Sequence, residues 1–281
     1  MKIFSTTAEL QTELSFLKAK KLKLGFVPTM GALHKGHISL IEESKKHSDI
    51  TIVSIFVNPT QFNNSDDYKK YPRTIDSDTI MLDKAGVDIL FCPSEKEIYN
   101  NTTTNNFDFG LLETVMEGQF RPGHFKGVAQ IVSILFDIVT PDLAFFGEKD
   151  FQQLAVIKKL VKDYNYHIII KACPTIRESD GLAMSSRNVR LQPDERIQVA
   201  NISRILFLSK EYLKNHSVTE TINWATNHLN SFNKMKVEYL NIINEDTFED
   251  ISEIIHSQNI RACIAVFVGE VRLIDNIRYI Y

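Results

Sequence analysis

Leu22-Lys23-Leu24-Gly25-Phe26-Val27-Pro28-Thr29-Met30-Gly31-Ala32-Leu33-His34-Lys35-Gly36-His37-Ile38-Ser39-Leu40-Ile41 opens as a strand, passes through a glycine-bearing turn and enters an amphipathic helix that continues to His47. The run ITIVSIFV at 50–57 follows, nearly continuous in β-branched and apolar residues, as expected of a strand buried on both faces. Together they read as one β-α-β unit. Upstream, 6–20 places Leu10, Leu14 and Leu17 at helical spacing behind a capping Ser or Thr, so the chain is expected to begin with a helix. Downstream, the alternation continues with a helix near 75–86, strand 87–92, a long helix near 126–139, strand 143–147, a helix near 149–164 and strand 167–173. Strands alternating with helices of this length predict an α/β fold, a doubly wound Rossmann-like parallel sheet.

After Arg177 the pattern changes. Helical stretches at 194–214 and 218–233 precede VEYLNII at 237–243 and CIAVFVGEVRLID at 263–275, which reads as a hairpin or meander. This predicts a smaller α+β C-terminal domain, with a division into 1–175 and 176–281 at a short hinge. The biased stretch NNTTTNN at 100–106 reads as a solvated turn.

The chain has 281 residues, with 32 Lys+Arg against 35 Asp+Glu for a net charge of −3, and 43% hydrophobic residues, values of a folded globular protein. No basic excess points to nucleic acid. Cys92, Cys173 and Cys263 are far apart and form no Cys-x-x-Cys, so a reducing compartment is expected. The amino terminus lacks a signal-peptide core, and ACIAVFV at 262–268 falls far short of the roughly 20 residues of a membrane span. The expectation is a cytoplasmic protein with no membrane partner.

The chemistry is written in the loops that follow strands. His34 and His37 sit three residues apart where a helix begins, a place where free N–H groups and the helix dipole attract phosphate. Gly31 and Gly36 allow close approach of a ligand to the backbone. Gln61, in Asn-Pro-Thr-Gln-Phe at 58–62, leaves the end of the next strand, and its neutral amide suits a hydroxy acid. Gly147-Glu148-Lys149-Asp150 follows another strand, with Gln153 one helical turn beyond on the same side. Met184-Ser185-Ser186-Arg187 combines hydroxyls with a guanidinium, a set suited to polyphosphate oxygens.

His34-Lys35-Gly36-His37 resembles the His-x-Gly-His signature of the nucleotidylyltransferase and class I aminoacyl-tRNA synthetase superfamily. The longer PTMGALHKGH at 28–37 is similar to the pantothenate synthetase family in particular. SIFVNPTQF at 54–62, YPR at 71–73, EGQFRPGHFKGV at 117–128, FFGEKDFQQL at 145–154 and IRESDGLAMSSRN at 176–188 resemble the same family; VGEVRLIDN at 268–276 does so more weakly. The resemblance implies ATP-dependent joining of pantoate to β-alanine through a pantoyl adenylate. It assigns to ATP Met30, Gly31, Ala32, Leu33, His34, Lys35, Gly36, His37, Gly147, Glu148, Lys149, Asp150, Ile176, Met184, Ser185, Ser186 and Arg187. His34, His37, Lys149 and Arg187 would be catalytic, Gln61 and Gln153 would hold pantoate, and Gln61 would lie at the β-alanine site. Relatives can carry adjacent acidic residues after Tyr-Pro-Arg near a divalent ion, whereas this chain reads Thr74-Ile75-Asp76-Ser77-Asp78. Mg2+ is therefore expected mainly on the phosphates of ATP, with no protein-held metal and no prosthetic group. Relatives also suggest a homodimer. Two other readings stay open: a nucleotidyltransferase that releases its nucleotidylated product, and a nucleotide sensor without chemistry.

Overall fold

The computed structural model describes residues 1–99, 106–253 and 259–279, so all but Asn106 of the biased stretch at 100–106 lies outside the described residues. The chain divides into two compact units, Met1–Pro174 and Thr175–Tyr281. The first is built on six strands: β1 (Lys2–Phe4), β2 (Leu24–Thr29), β3 (Ile50–Ile55), β4 (Ile89–Phe91), β5 (Leu143–Gly147) and β6 (Ile169–Cys173). They lie in the order β1-β4-β3-β2-β5-β6, every neighbouring pair parallel.

Helices α1 (Thr7–Ala19), α2 (Lys35–His47), α3 (Ile75–Lys84), α4 (His124–Val139) and α5 (Phe151–Asp163) cover both faces. The two-residue period of a strand sends successive side chains to opposite sides. Phe26, Ile52, Ile89, Phe91 and Phe146 join Leu10, Leu14, Phe136 and Leu160 in one core. Val27, Val53, Leu90 and Phe145 join Leu40, Ile41 and Leu82 in the other. Burying each such side chain is worth about 1.5–3 kcal/mol, which is why the strands read as continuous apolar runs. The doubly wound parallel sheet expected from the sequence is the observed fold.

Several local expectations change. The chain begins with strand β1, which pairs with β4, rather than with a helix; three residues are too few to show a period. Helix α4 starts at His124 because Gly123, at φ 81°, supplies a left-handed turn before it. The stretch from 148 opens as a 3-10 turn, Glu148–Asp150, before α5.

In the second unit the helical stretch expected at 194–214 is split into Pro193–Gln198 and α6 (Asn201–Tyr212), with a turn at Val199 and Ala200 between them. Strands β7 (Met235–Asn244), β8 (Ile260–Val268) and β9 (Val271–Tyr279) form an antiparallel sheet. Ile260, Ala262, Ile264 and Val266 of β8 share a core with Leu206 of α6 and Leu229 of α7 (Val218–Asn230). The β8–β9 hairpin turns through Gly269 and Glu270, with Gly269 at φ +57° as a tight two-residue turn requires.

The order of the first sheet locates the site. From β2 the chain steps outward through β3 to β4 on one side, then returns to place β5 against the other side of β2. That reversal is a topological switch point, and it opens a crevice beyond the carboxyl ends of β2 and β5.

Candidate active site

The loop after β2 is set by a buried carboxylate. Asp78, on α3 and 2% exposed, accepts the Ala32 N–H at 2.9 Å, the Leu33 N–H at 2.9 Å and the Thr74 hydroxyl at 3.1 Å. These bonds hold Ala32 in the left-handed region at φ 49°, a conformation an L-residue adopts at a cost that tertiary contacts must offset. Gly31, at φ +77°, leaves room for this: a Cβ there would stand 3.1 Å from both the Asp78 carboxylate and Ile55.

Next in the loop come the histidines, with ring centroids 4.1 Å apart. The Gly36 N–H donates to His34 Nδ1 at 3.1 Å, and the His34 N–H donates to His37 Nδ1 at 3.2 Å. This narrows the expectation of free backbone donors at the start of α2, because several donors leading into the helix already have partners. Those of Ala32 and Leu33 go to Asp78, and those of His34 and Gly36 go to imidazole nitrogens. An Nδ1 that accepts carries no proton, so each neutral ring bears its hydrogen on Nε2. The backbone thus converts the two side chains into oriented Nε2–H donors. Burial first, then the neighbouring His34 and the Lys149 ammonium, push the pKa of His37 down to about 3, so it is neutral throughout the physiological range.

Lys149 stands in the 3-10 turn after β5, its side chain 17% exposed and its ammonium 3.8 Å from the Asp150 carboxylate. Because β2 and β5 are neighbours, the switch point brings this turn beside the histidine loop. Its charge reaches His37 as one of the causes of that group's lowered pKa.

Gln61 ends a 3-10 turn after β3, Pro59–Gln61, and is 8% exposed. Its Oε1 accepts from Asn58 Nδ2 at 3.2 Å and its Nε2 donates to the sulfur of Met30 at 2.9 Å. Helix α4 braces the turn from below: His124 Nδ1 donates to the Gln61 carbonyl at 2.7 Å. A Cβ on Gly127 would lie 2.4 Å from the Thr60 carbonyl oxygen, so only glycine permits this approach. Gln153 is half-buried in the first turn of α5. Its neighbour Gln152 is buried and anchors that turn, accepting the Glu117 N–H at 3.0 Å and donating to the Leu112 and Val115 carbonyls at 2.8 and 2.9 Å.

The structure therefore brings His34, His37, Gln61 and Lys149 to the carboxyl ends of the adjacent strands β3, β2 and β5. Ile176 and Met184–Arg187 belong to the second unit. There the Met184 N–H donates to the Ile176 carbonyl at 3.0 Å, and Ser185 Oγ accepts the Arg187 N–H at 3.2 Å. Arg177 braces this loop, donating to the Gly181 carbonyl at 3.0 Å and to both oxygens of buried Asp275 at 2.7 and 2.9 Å. Asn58, Asp78, Gln152 and Arg177 escaped the sequence reading. Their partners lie up to 99 residues away, so no local spacing points to them.

Asp78→Asn tests the loop. One oxygen becomes an NH2 group, which cannot accept a backbone N–H, and such a loss costs about 1–3 kcal/mol. The expected outcome is a folded protein that binds a non-hydrolysable ATP analogue about 10- to 100-fold more weakly by calorimetry. Unchanged affinity would show that the loop keeps its shape without the carboxylate.

A sequence profile of the pantoate-beta-alanine ligase family matches residues 2–278. The pantothenate synthetase of Bacteroides thetaiotaomicron is 49% identical over 279 residues, 99% of each chain. Among solved structures, the pantothenate synthetase of Thermus thermophilus superposes with a TM-score of 0.92 at 38% identity, over 100% of both chains. The pantoate-beta-alanine ligase of Francisella tularensis, solved in complex with beta-gamma ATP and beta-alanine, gives a TM-score of 0.82 at 37% identity over 99% of this chain and 98% of its own. Among the described residues no helix is long and apolar enough to cross a membrane.

Proposed function

The chain belongs to the pantoate-beta-alanine ligase family, and from that premise we propose how its own residues serve the reaction. The reaction is the ATP-dependent condensation of pantoate with β-alanine to pantothenate. In the first step a carboxylate oxygen of pantoate attacks the α-phosphorus of ATP, and the bond to the bridging oxygen breaks to release pyrophosphate. In the second, the amine of β-alanine attacks the acyl carbon, loses a proton and expels AMP.

The observation that carries the assignment of roles is the fixed tautomer of the histidine pair. Joining a carboxylate to a triphosphate is opposed by like charge, and the transition state places further charge on the phosphate oxygens. Neutral Nε2–H donors already oriented by the backbone stabilise that charge with no reorganisation at the moment of reaction. Lys149 adds a full positive charge beside them. Gln61, whose Oε1 is engaged by Asn58, offers its N–H to an oxygen of the acid, and Gln153 is the second amide assigned to pantoate. The family resemblance assigns the nucleotide to Met30–His37 and Gly147–Asp150, and likewise to Ile176 and Met184–Arg187. Mg2+ arrives on the phosphates, which suits an ion that dehydrates reluctantly. The family resemblance also carries over a cytoplasmic homodimer, for which sedimentation gives the oligomeric test.

Isotope exchange between pyrophosphate and ATP tests the route. A separate adenylate makes the first step reversible before any amine is present, so exchange is expected with pantoate alone. Addition of β-alanine should divert the intermediate to pantothenate and AMP. Exchange that strictly requires β-alanine would overturn a freely reversible first step.

A further inference from the structure

We propose that Tyr99 is a positioning residue for the acid substrate, acting through Asn58 on the amide of Gln61. The inference rests on the reading of Gln61 as a pantoate contact. Asn58 is 1% exposed, and all of its hydrogen-bonding capacity is taken up. Its Oδ1 accepts from the Tyr99 hydroxyl at 2.6 Å, from the Thr60 hydroxyl at 3.0 Å and from the Thr60 N–H at 3.3 Å. Its two Nδ2 hydrogens go to Gln61 Oε1 at 3.2 Å and to the Gly127 carbonyl at 3.0 Å. The Thr60 N–H and the Gly127 carbonyl admit only this orientation of the amide, because the flipped form would set donor against donor and acceptor against acceptor.

The result is a directional chain. Tyr99 O–H donates to the Asn58 carbonyl, the Asn58 NH2 donates to the Gln61 carbonyl, and the Gln61 NH2 ends the chain, one hydrogen on the Met30 sulfur and the other the donor assigned to the acid. Each bond polarises the next in the same sense, so a proton donor at the Tyr99 end strengthens the donor at the Gln61 end. The Tyr99 bond is the shortest of those on Asn58. The ring itself is held separately, 6.2 Å from the Phe56 centroid, so removing the hydroxyl leaves the ring its packing partner. Tyr99 touches no reacting atom in this scheme; it fixes where the Gln61 N–H stands and how strongly it donates.

The test is a cycle of Tyr99→Phe, Gln61→Ala and the double variant, read by calorimetric Kd for pantoate and for ATP together with kcat. Tyr99→Phe is expected to weaken pantoate binding about 3- to 10-fold, the effect of one lost hydrogen bond, with ATP binding unchanged. In the Gln61→Ala background the same substitution is expected to have no further effect on pantoate. An unchanged pantoate Kd in Tyr99→Phe overturns the proposal, as does a full effect that persists when Gln61 is absent. If Gln61→Ala itself binds pantoate normally, the assignment of Gln61 falls, and that outcome is separate from the other two. Equal losses for pantoate and ATP would mark Tyr99 as merely structural.

Discussion

His37→Ala is expected to slow pantoate-dependent pyrophosphate exchange by about 100-fold or more while leaving the fold intact, since losing one oriented transition-state donor has effects of that size. The ring belongs to neither hydrophobic core, so circular dichroism should match the parent protein. What the variant loses is the Nε2–H donor, which the His34 amide had oriented by donating to Nδ1. Near-normal exchange in a folded variant would remove His37 from the chemistry. The lowered pKa adds a second expectation. The folded state holds this ring neutral down to about pH 3, whereas the unfolded chain protonates it near pH 6.5. The group therefore costs no stability at pH 7, and its penalty grows as pH falls from 6.5 toward 3. His37→Gln, which has no proton to take up, should accordingly gain in melting temperature relative to the parent as the buffer is taken from about pH 6 to about pH 4.

Lys149→Met is expected to lower exchange by a comparable factor, about 100-fold, because the substitution removes the charge set against the phosphates and keeps the length of the side chain. The same substitution should be visible without substrate. The Lys149 ammonium is one cause of the depressed His37 pKa, so its loss should raise that value from about 3. Burial remains the larger cause, and the new value should still lie below 6.5. An NMR titration of the His37 ring measures the shift directly. Exchange at the parent rate, or a His37 titration that does not move, would separate Lys149 from the histidine loop.

The alternation of strands and helices in the first unit was legible because two buried faces impose continuous apolar strands and helices of full length. So was the placement of the loops holding His34, Gln61 and Lys149, since each follows a strand of the parallel sheet. Strand β1 was not, because Lys2–Phe4 is set by pairing with β4, a partner far along the chain. The number of free N–H groups in the histidine loop was overestimated for a related reason: local sequence shows that donors exist but not which acceptors the fold delivers to them. Asp78 stood in the sequence only as an acid near Asp76 with no metal assigned to it, yet α3 buries it, and it accepts the Ala32 and Leu33 N–H groups. Gln61 could be singled out as an amide, but the direction in which it donates is decided by Asn58, Tyr99 and the Gly127 carbonyl, which no spacing rule brings together.

The bonds from the Gly36 and His34 amides to the imidazole Nδ1 atoms leave the loop without a conservative spelling. At either position the ring is fastened by one nitrogen and presents the other, from two edges of one rigid ring. Asparagine reproduces the fastened side and is too short for the presented one; glutamine reaches the presented side and gives up the fastening. Chemical likeness is thus a poor guide to tolerance at positions 34 and 37. A saturation library at position 37, selected for growth that depends on the enzyme, should return histidine with its nearest isosteres no better represented than alanine.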